Sequence, residues 1–167
     1  AVDNASTKSS MKTVVVRLSN VFGTQVFINN NCWELLINNL CQEVTKHKTL
    51  TVNSDGSDLR DFISIENFMK SMEIIISSDF KNNSTIINVG YGKSYSVISI
   101  ANLIKEIYER KFLLKVQIIN KKSVNKNDKT QFNYKIDKLR LLGYKTENNL
   151  SEGIESLLSF CHKYFSQ

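Results

Sequence analysis

Val14-Val15-Val16-Arg17-Leu18-Ser19-Asn20-Val21-Phe22-Gly23 decides how the chain reads. A continuous β-branched run that stops at an Asn and a Gly predicts a buried strand over residues 12–18 followed by a turn. Open α/β sheets bind ligands at the rim formed by the carboxyl ends of their strands. Asn20 falls at that rim, where its amide can both donate and accept, which suits a phosphate oxygen or a sugar hydroxyl as well as a simple strand-end turn. A second stretch, Gly56-Ser57-Asp58-Leu59-Arg60-Asp61-Phe62-Ile63-Ser64-Ile65, is a turn leading into a strand over residues 60–65 that alternates as a half-buried strand does. Arg60 opens that strand, either as an anion-binding fork or as a local ion pair with Asp61.

Working outward, apolar residues at three- and four-residue spacing predict a helix over 32–46, with Trp33, Leu36, Ile37, Leu40 and Val44 on its face. A short strand is expected over 49–53. Asn67 reads as the N-cap of a helix through Ser77 whose face is Phe68, Met69, Met72, Ile75 and Ile76. Strands follow over 86–89 and 113–119. Between them Ser96 caps a helix over 97–110, with Ile100, Leu103, Ile104 and Ile107 inward. Residues 120–130 read as a loop, and helices are expected over 136–142 and 151–165, with Gly143 just past the first. Strands alternating with helices predict an α/β fold, and so few short strands predict an incomplete sheet.

Composition narrows the function classes. With 167 residues, 41% hydrophobic and 23% charged, the chain fits one globular unit. No apolar run approaches the roughly 18 residues of a membrane span, so no membrane partner is expected. The three cysteines, Cys32, Cys41 and Cys161, are odd in number and lack metal-ligand spacing, as free thiols of a reducing cytoplasm would. The net charge of +6 is mostly lysine, densest at Lys121, Lys122, Lys126 and Lys129. Without interleaved aromatic residues this reads as a solvated face rather than a nucleic-acid platform. Proline is absent, so turns rest on Gly, Asn, Asp and Ser.

Several motifs fail on inspection. Gly90-Tyr91-Gly92-Lys93-Ser94 lies between a strand and a helix like a phosphate loop, but Ile87 stands where that loop needs its first glycine. A tight turn is the simpler reading. Asn53-Ser54-Asp55-Gly56 has the centre of a calcium loop, with Thr51 and Phe62 where carboxylates belong. His47 and His162 belong to no nucleophilic constellation.

In order and spacing, the segments Arg17 to Gly23, Arg60 to Ile65, Ile87 to Gly90, Tyr95 to Val97, Asp137 to Tyr144 and Leu150 to Ile154 together resemble the second half of the NAD-dependent epimerase/dehydratase family. These are extended short-chain dehydrogenases that act on nucleotide sugars. The resemblance implies a partial Rossmann-type sheet, its last strands, plus the small C-terminal α/β substrate-binding domain. It divides the chain into the end of the cofactor domain (1–24), a substrate-binding segment (25–82), the return strand and helix of the cofactor domain (83–112) and a C-terminal substrate-domain segment (113–167). It implies that Asn20 contacts a UDP-, dTDP- or GDP-sugar and that Arg60 binds its diphosphate, a task that suits a planar, always charged guanidinium. Val52, Asp128 and Phe132 are further candidate substrate contacts, and Leu18 and Ser19 are candidate contacts to NAD or NADP.

The sequence also departs from the family. Thr24 replaces a usual proline. Asn125 stands where a second phosphate-binding Arg is usual three residues before Asp128, leaving Lys122 or Lys126 as point charges. Asn67 replaces a usual Asp. No Gly-rich dinucleotide turn and no catalytic Tyr-x-x-x-Lys pair are expected in this chain, so no catalytic residue is assigned. The expectation is a fragment, inactive and without tight NAD binding by itself, that associates with a missing N-terminal half or as a homo-oligomer. A non-catalytic basic binding module and a degenerate partner subunit are the alternatives.

Overall fold

The computed structural model describes residues 12–121 and 132–166. Its elements in chain order are β1 (Thr13–Leu18), β2 (Asn20–Phe22), a 3-10 turn (Asn31–Glu34), α1 (Leu36–His47), β3 (Thr49–Val52), β4 (Leu59–Ser64), α2 (Ile65–Ser77), β5 (Ser84–Val89), β6 (Ser94–Ser96), α3 (Val97–Phe112), β7 (Gln117–Asn120), α4 (Asp137–Leu141) and α5 (Leu150–Phe165). Among the described residues β1 pairs in parallel with β5, and β3 with β7. The third sheet has the order β2-β4-β6, parallel between β2 and β4 and antiparallel between β4 and β6. The expected α/β fold with a partial sheet is present. No helix among the described residues is long and apolar enough to cross a membrane.

Two cores form. The larger gathers Phe22 and Phe62 with Ile37, Leu40 and Val44 of α1, Ile100, Ile104 and Ile107 of α3, and Ile154, Leu157 and Leu158 of α5. The smaller joins Ile63, Ile75, Ile87, Val89, Ile136, Leu139 and Tyr144. β4 lies between them: successive side chains leave a strand on opposite faces, so Phe62 enters one core and Ile63 the other. Residues 61–64 are all buried for this reason, where half-burial was expected. The packing also divides residues 83–112, since β5 belongs to the smaller core and α3 to the larger.

Other differences have local causes. α2 starts three residues early because Ser64 is its N-cap and accepts the Asn67 backbone N–H at 3.2 Å. Asn67 is instead buried inside the first turn, with its amide donating to Asn149 Oδ1 at 2.9 Å and to the Glu147 carbonyl at 3.1 Å. α3 runs on to Phe112, and Leu113 is its left-handed C-cap at φ 56° rather than a strand residue. Val14 to Val16 are only half-buried, because among the described residues β1 has a strand neighbour on one side alone.

Candidate functional site

The site is built around Asp61 of β4, 1% exposed. Its Oδ1 accepts the Tyr91 N–H at 2.8 Å, and its Oδ2 accepts those of Gly92 at 2.6 Å and Lys93 at 3.1 Å. Consecutive backbone N–H groups turned one way make an anion-binding nest. Here the anion is the chain's own carboxylate, so the Gly90–Ser94 stretch is a tight turn, as expected, and holds no phosphate. Gly92 sits at φ +77°, and a Cβ on Gly90 would stand 2.6 Å from Asp61 Oδ1 and 2.7 Å from Tyr134 Cδ1.

The pleat turns Arg60 away from Asp61. Arg60 is exposed and makes no ion pair among the described residues, so the local Arg60–Asp61 pair that the sequence left open does not form. Across β6 its register partner is Tyr95. The Lys93 ammonium lies 5.1 Å from the centre of the Tyr95 ring, which puts a second cation on the Arg60 side of the sheet. The sequence reading set Lys93 aside when it preferred a tight turn over a phosphate loop for residues 90–94.

Asn20 lies just past the end of β1, as expected, and also opens β2, where it registers with Phe62. Its Nδ2 donates to the Asp61 carbonyl at 3.0 Å. Paired residues of neighbouring strands share a face, as do residues two apart along a strand, so Asn20 and Arg60 share one. Strand spacing and rise put their Cα atoms about 8 Å apart. The two are together, not on opposite sides of the molecule. The turn after β2 is fixed by Asn38 of α1, buried, which accepts the Gly23 N–H at 3.3 Å and donates to the Gly23 carbonyl at 3.1 Å. No pattern in the sequence marked Asn38.

The remaining expected residues are distributed unevenly. Phe132 is partly exposed, and its carbonyl accepts the Ser94 hydroxyl at 2.7 Å, which ties it to β6 beside Asp61. Val52 is buried in the larger core, and its carbonyl accepts the Lys121 N–H at 3.0 Å, so its side chain does not reach a ligand. Leu18 and Ser19 stand at the carboxyl end of β1. Leu18 is exposed, and the buried Ser19 Oγ finds no partner among the described residues. Asp128, Asn125, Lys122, Lys126 and Lys129 lie outside the described residues. No group of three His, Cys, Asp or Glu side chains among the described residues is arranged to hold a metal.

The family's catalytic spacing does occur by count, at Tyr134 and Lys138, against the expectation that the chain holds none. The geometry gives the pair another job. The Tyr134 hydroxyl donates to the Arg17 carbonyl at 2.7 Å and Lys138 Nζ to the Ile86 carbonyl at 3.1 Å. Burial, and then the Asp61 charge, push the Tyr134 phenol up, with Arg17 opposing. An activated tyrosine base needs the reverse shift.

The α/β fold thus brings a guanidinium and a carboxamide together on one sheet face. Residues 1–90 match the model of the NAD dependent epimerase/dehydratase family, and the chain belongs to that family. Similar solved structures are the UDP-N-acetylglucosamine 4-epimerase from Methanobrevibacter ruminantium in complex with UDP-N-acetylmuramic acid (TM-score 0.74, 19% identity, 95% of this chain and 49% of that one), the UDP-glucuronic acid 4-epimerase from Bacillus cereus in complex with UDP-glucuronic acid and NAD (0.73, 21%, 97% and 49%) and the UDP-glucose 4-epimerase from Thermotoga maritima with UDP-glucose (0.72, 19%, 97% and 50%). The chain spans about half the length of these structures. No curated protein matches it.

Proposed function

We propose that this chain is the nucleotide-sugar-binding part of an NAD(P)-dependent epimerase or dehydratase and is inactive by itself. Arg60 binds the diphosphate, Lys93 adds a second positive charge, and Asn20 contacts the sugar nucleotide beside them. The observation that carries the reading is the Arg60 guanidinium, released from Asp61 and exposed on the face it shares with Asn20. The cofactor, where bound, supplies hydride transfer. Leu18 and the unpartnered Ser19 hydroxyl fit a rim contact to a cofactor held by another segment, because no Gly-rich turn of this sequence can hold its pyrophosphate. In this reading residues 1–24 and 83–112 serve the cofactor side, and 25–82 and 113–167 the substrate side.

The test is calorimetric titration of UDP and of UDP-glucuronic acid into the chain and its Arg60→Ala variant. A charge-assisted hydrogen bond contributes about 1.5–3 kcal/mol, and about 1.4 kcal/mol is tenfold in affinity. Arg60→Ala therefore weakens binding at least tenfold with an unchanged circular dichroism spectrum, and Lys93→Ala weakens it less. Equal affinities for wild type and Arg60→Ala sink the proposal, and sub-micromolar NAD binding or turnover by the chain alone sinks the claim of inactivity.

A further inference from the structure

We infer that a second anion site lies on the outer face of the β1-β5 sheet, and that it takes the phosphate monoester of a small organic molecule. The site shares no residue with the Arg60 face, belongs to a different sheet and does not depend on the reading of that face.

The pleat makes the surface. Val14 and Val16 of β1 and Ile87 and Val89 of β5 point into the smaller core, so their neighbours point the other way. Arg17 registers with Asn88, and Val15 with Ile86. An exposed guanidinium thus stands beside an amide and an isoleucine that is 41% exposed. The segment leading into α4 forms a wall along this face, and three hydrogen bonds fix it. The Tyr134 hydroxyl donates to the Arg17 carbonyl at 2.7 Å, the Asn88 amide to the Lys135 carbonyl at 2.9 Å, and Lys138 Nζ to the Ile86 carbonyl at 3.1 Å. Between wall and sheet runs a groove of about 330 Å³ lined by Arg17, Ile86, Asn88, Lys135, Asp137 and Lys138.

Its charges serve nothing in the fold. Arg17, Lys135, Asp137 and Lys138 are exposed, and none belongs to an ion pair among the described residues. The Arg17 and Lys135 side chains make no hydrogen bond there either, and Lys138 uses one of its three N–H groups. Three cations against one carboxylate leave the groove with a net charge of +2.

The ligand follows from that charge and from the floor. A phosphate monoester carries about −1.5 to −2 at neutral pH, which the groove matches. The guanidinium fork can take two of its oxygens, and the lysines add point charges. Ile86 gives the organic body an apolar surface to lie on. Small-molecule sites combine such a surface with a few placed polar groups in about 300–1,000 Å³, and this groove falls at the lower end. Because the wall is held before a ligand arrives, less ordering is lost on binding.

Glucose 1-phosphate, uridine monophosphate and inorganic phosphate are titrated calorimetrically into the Arg60→Ala chain, which removes binding at the other face. At least one ester binds, and binds more tightly than inorganic phosphate; which ester is preferred tells a sugar phosphate from a nucleotide. In the same background Arg17→Ala and Lys135→Ala each weaken that ester roughly tenfold with unchanged circular dichroism spectra, and Asp137→Asn tightens it a few-fold. Affinity falls from about pH 7.5 to about pH 5, as the ester takes up its second proton near about pH 6. The inference is overturned if neither ester binds at millimolar concentration, if inorganic phosphate binds as tightly as both, or if Arg17→Ala and Lys135→Ala bind like their parent.

Discussion

Tyr134 and Lys138 stand four residues apart and serve two different strands, the phenol holding the Arg17 carbonyl of β1 and the ammonium the Ile86 carbonyl of β5. The segment before α4 and its first turn thereby strap the sheet. A neutral hydrogen bond at a partly exposed site contributes about 0.5–1.5 kcal/mol. Tyr134→Phe should lower stability by about that amount and leave UDP binding unchanged. Urea denaturation and calorimetry check both. A loss of UDP affinity without a loss of stability would return the pair to the chemistry.

Asp61 carries a heavier load. Its carboxylate satisfies three backbone N–H groups in a dry site, and Asp61→Ala strands all three. Hydrogen bonds to a charged acceptor contribute about 1.5–3 kcal/mol each, and the losses are not additive. Asp61→Ala should cost at least about 3 kcal/mol. Asp61→Asn keeps the shape but turns one oxygen into a donor that faces N–H groups, so it should cost nearly as much. Denaturation midpoints of both variants within error of wild type would remove Asp61 from this role.

The elements that the sequence revealed are those whose own side chains set their period. α3 with its Ser96 cap, α5 and the core of α1 carry apolar residues at helical spacing, and each forms with those residues inward. The two short strands β2 and β6, three residues each, are too brief to show a period. The site was half legible. Arg60 and Asn20 were legible as candidates, but the separation of Arg60 from Asp61 depends on which core each face of β4 meets. Lys93 and Asn38 gain their places from residues far away in the chain. The α2 stripe was read correctly as apolar, yet periodicity cannot say which part of a stripe finds a neighbour, and Met69 and Ile76 do not find one here.

Ser64 does two jobs, and its loss should exceed that of a simple cap. Its hydroxyl accepts the Asn67 N–H at 3.2 Å and donates to Asn149 Oδ1 at 3.1 Å, which joins α2 to the segment before α5. N-cap substitutions to Ala cost about 0.5–2 kcal/mol. Ser64→Ala should fall at or above the top of that range, while Ser96→Ala, a cap exposed to water, falls inside it. Guanidinium melts of the two variants give the comparison, and equal losses would leave Ser64 as a cap only.

The thiols should separate by burial. Cys41 and Cys161 are fully buried, Cys32 is partly exposed, and all three are free. Burial pushes each thiol up, Cys161 to about 12. The thiolate is the reactive form. Iodoacetamide at pH 8 should therefore label Cys32 slowly and leave Cys41 and Cys161 intact until denaturant is added, as peptide mass spectrometry would record. Native labelling of Cys161 at the rate of Cys32 would contradict the packing of α1 on α5.

Alkaline stability tests the smaller core from another side. Tyr144 is buried, and its hydroxyl has no partner among the described residues. Burial first, then the charges of Asp61 and Glu147 and the neighbouring Tyr91, push its phenol up to about 12. An unfolded tyrosine titrates near 10. Between about pH 10 and 12 the folded chain keeps a proton that the unfolded chain has released, so stability falls as pH rises. Below pH 10 this group adds no slope. The raised Cys41 and Cys161 thiols act with the same sign, starting near their ordinary value of about 8.5. Urea midpoints should fall progressively between pH 9 and 11. Tyr144→Phe, which cannot ionise, should lessen the fall above pH 10, leaving the share of the raised Tyr91 and Tyr134 phenols, and should leave the thiol part in place. A wild-type midpoint that holds constant to pH 11 would mean that Tyr144 is solvated and that the smaller core is looser than its packing.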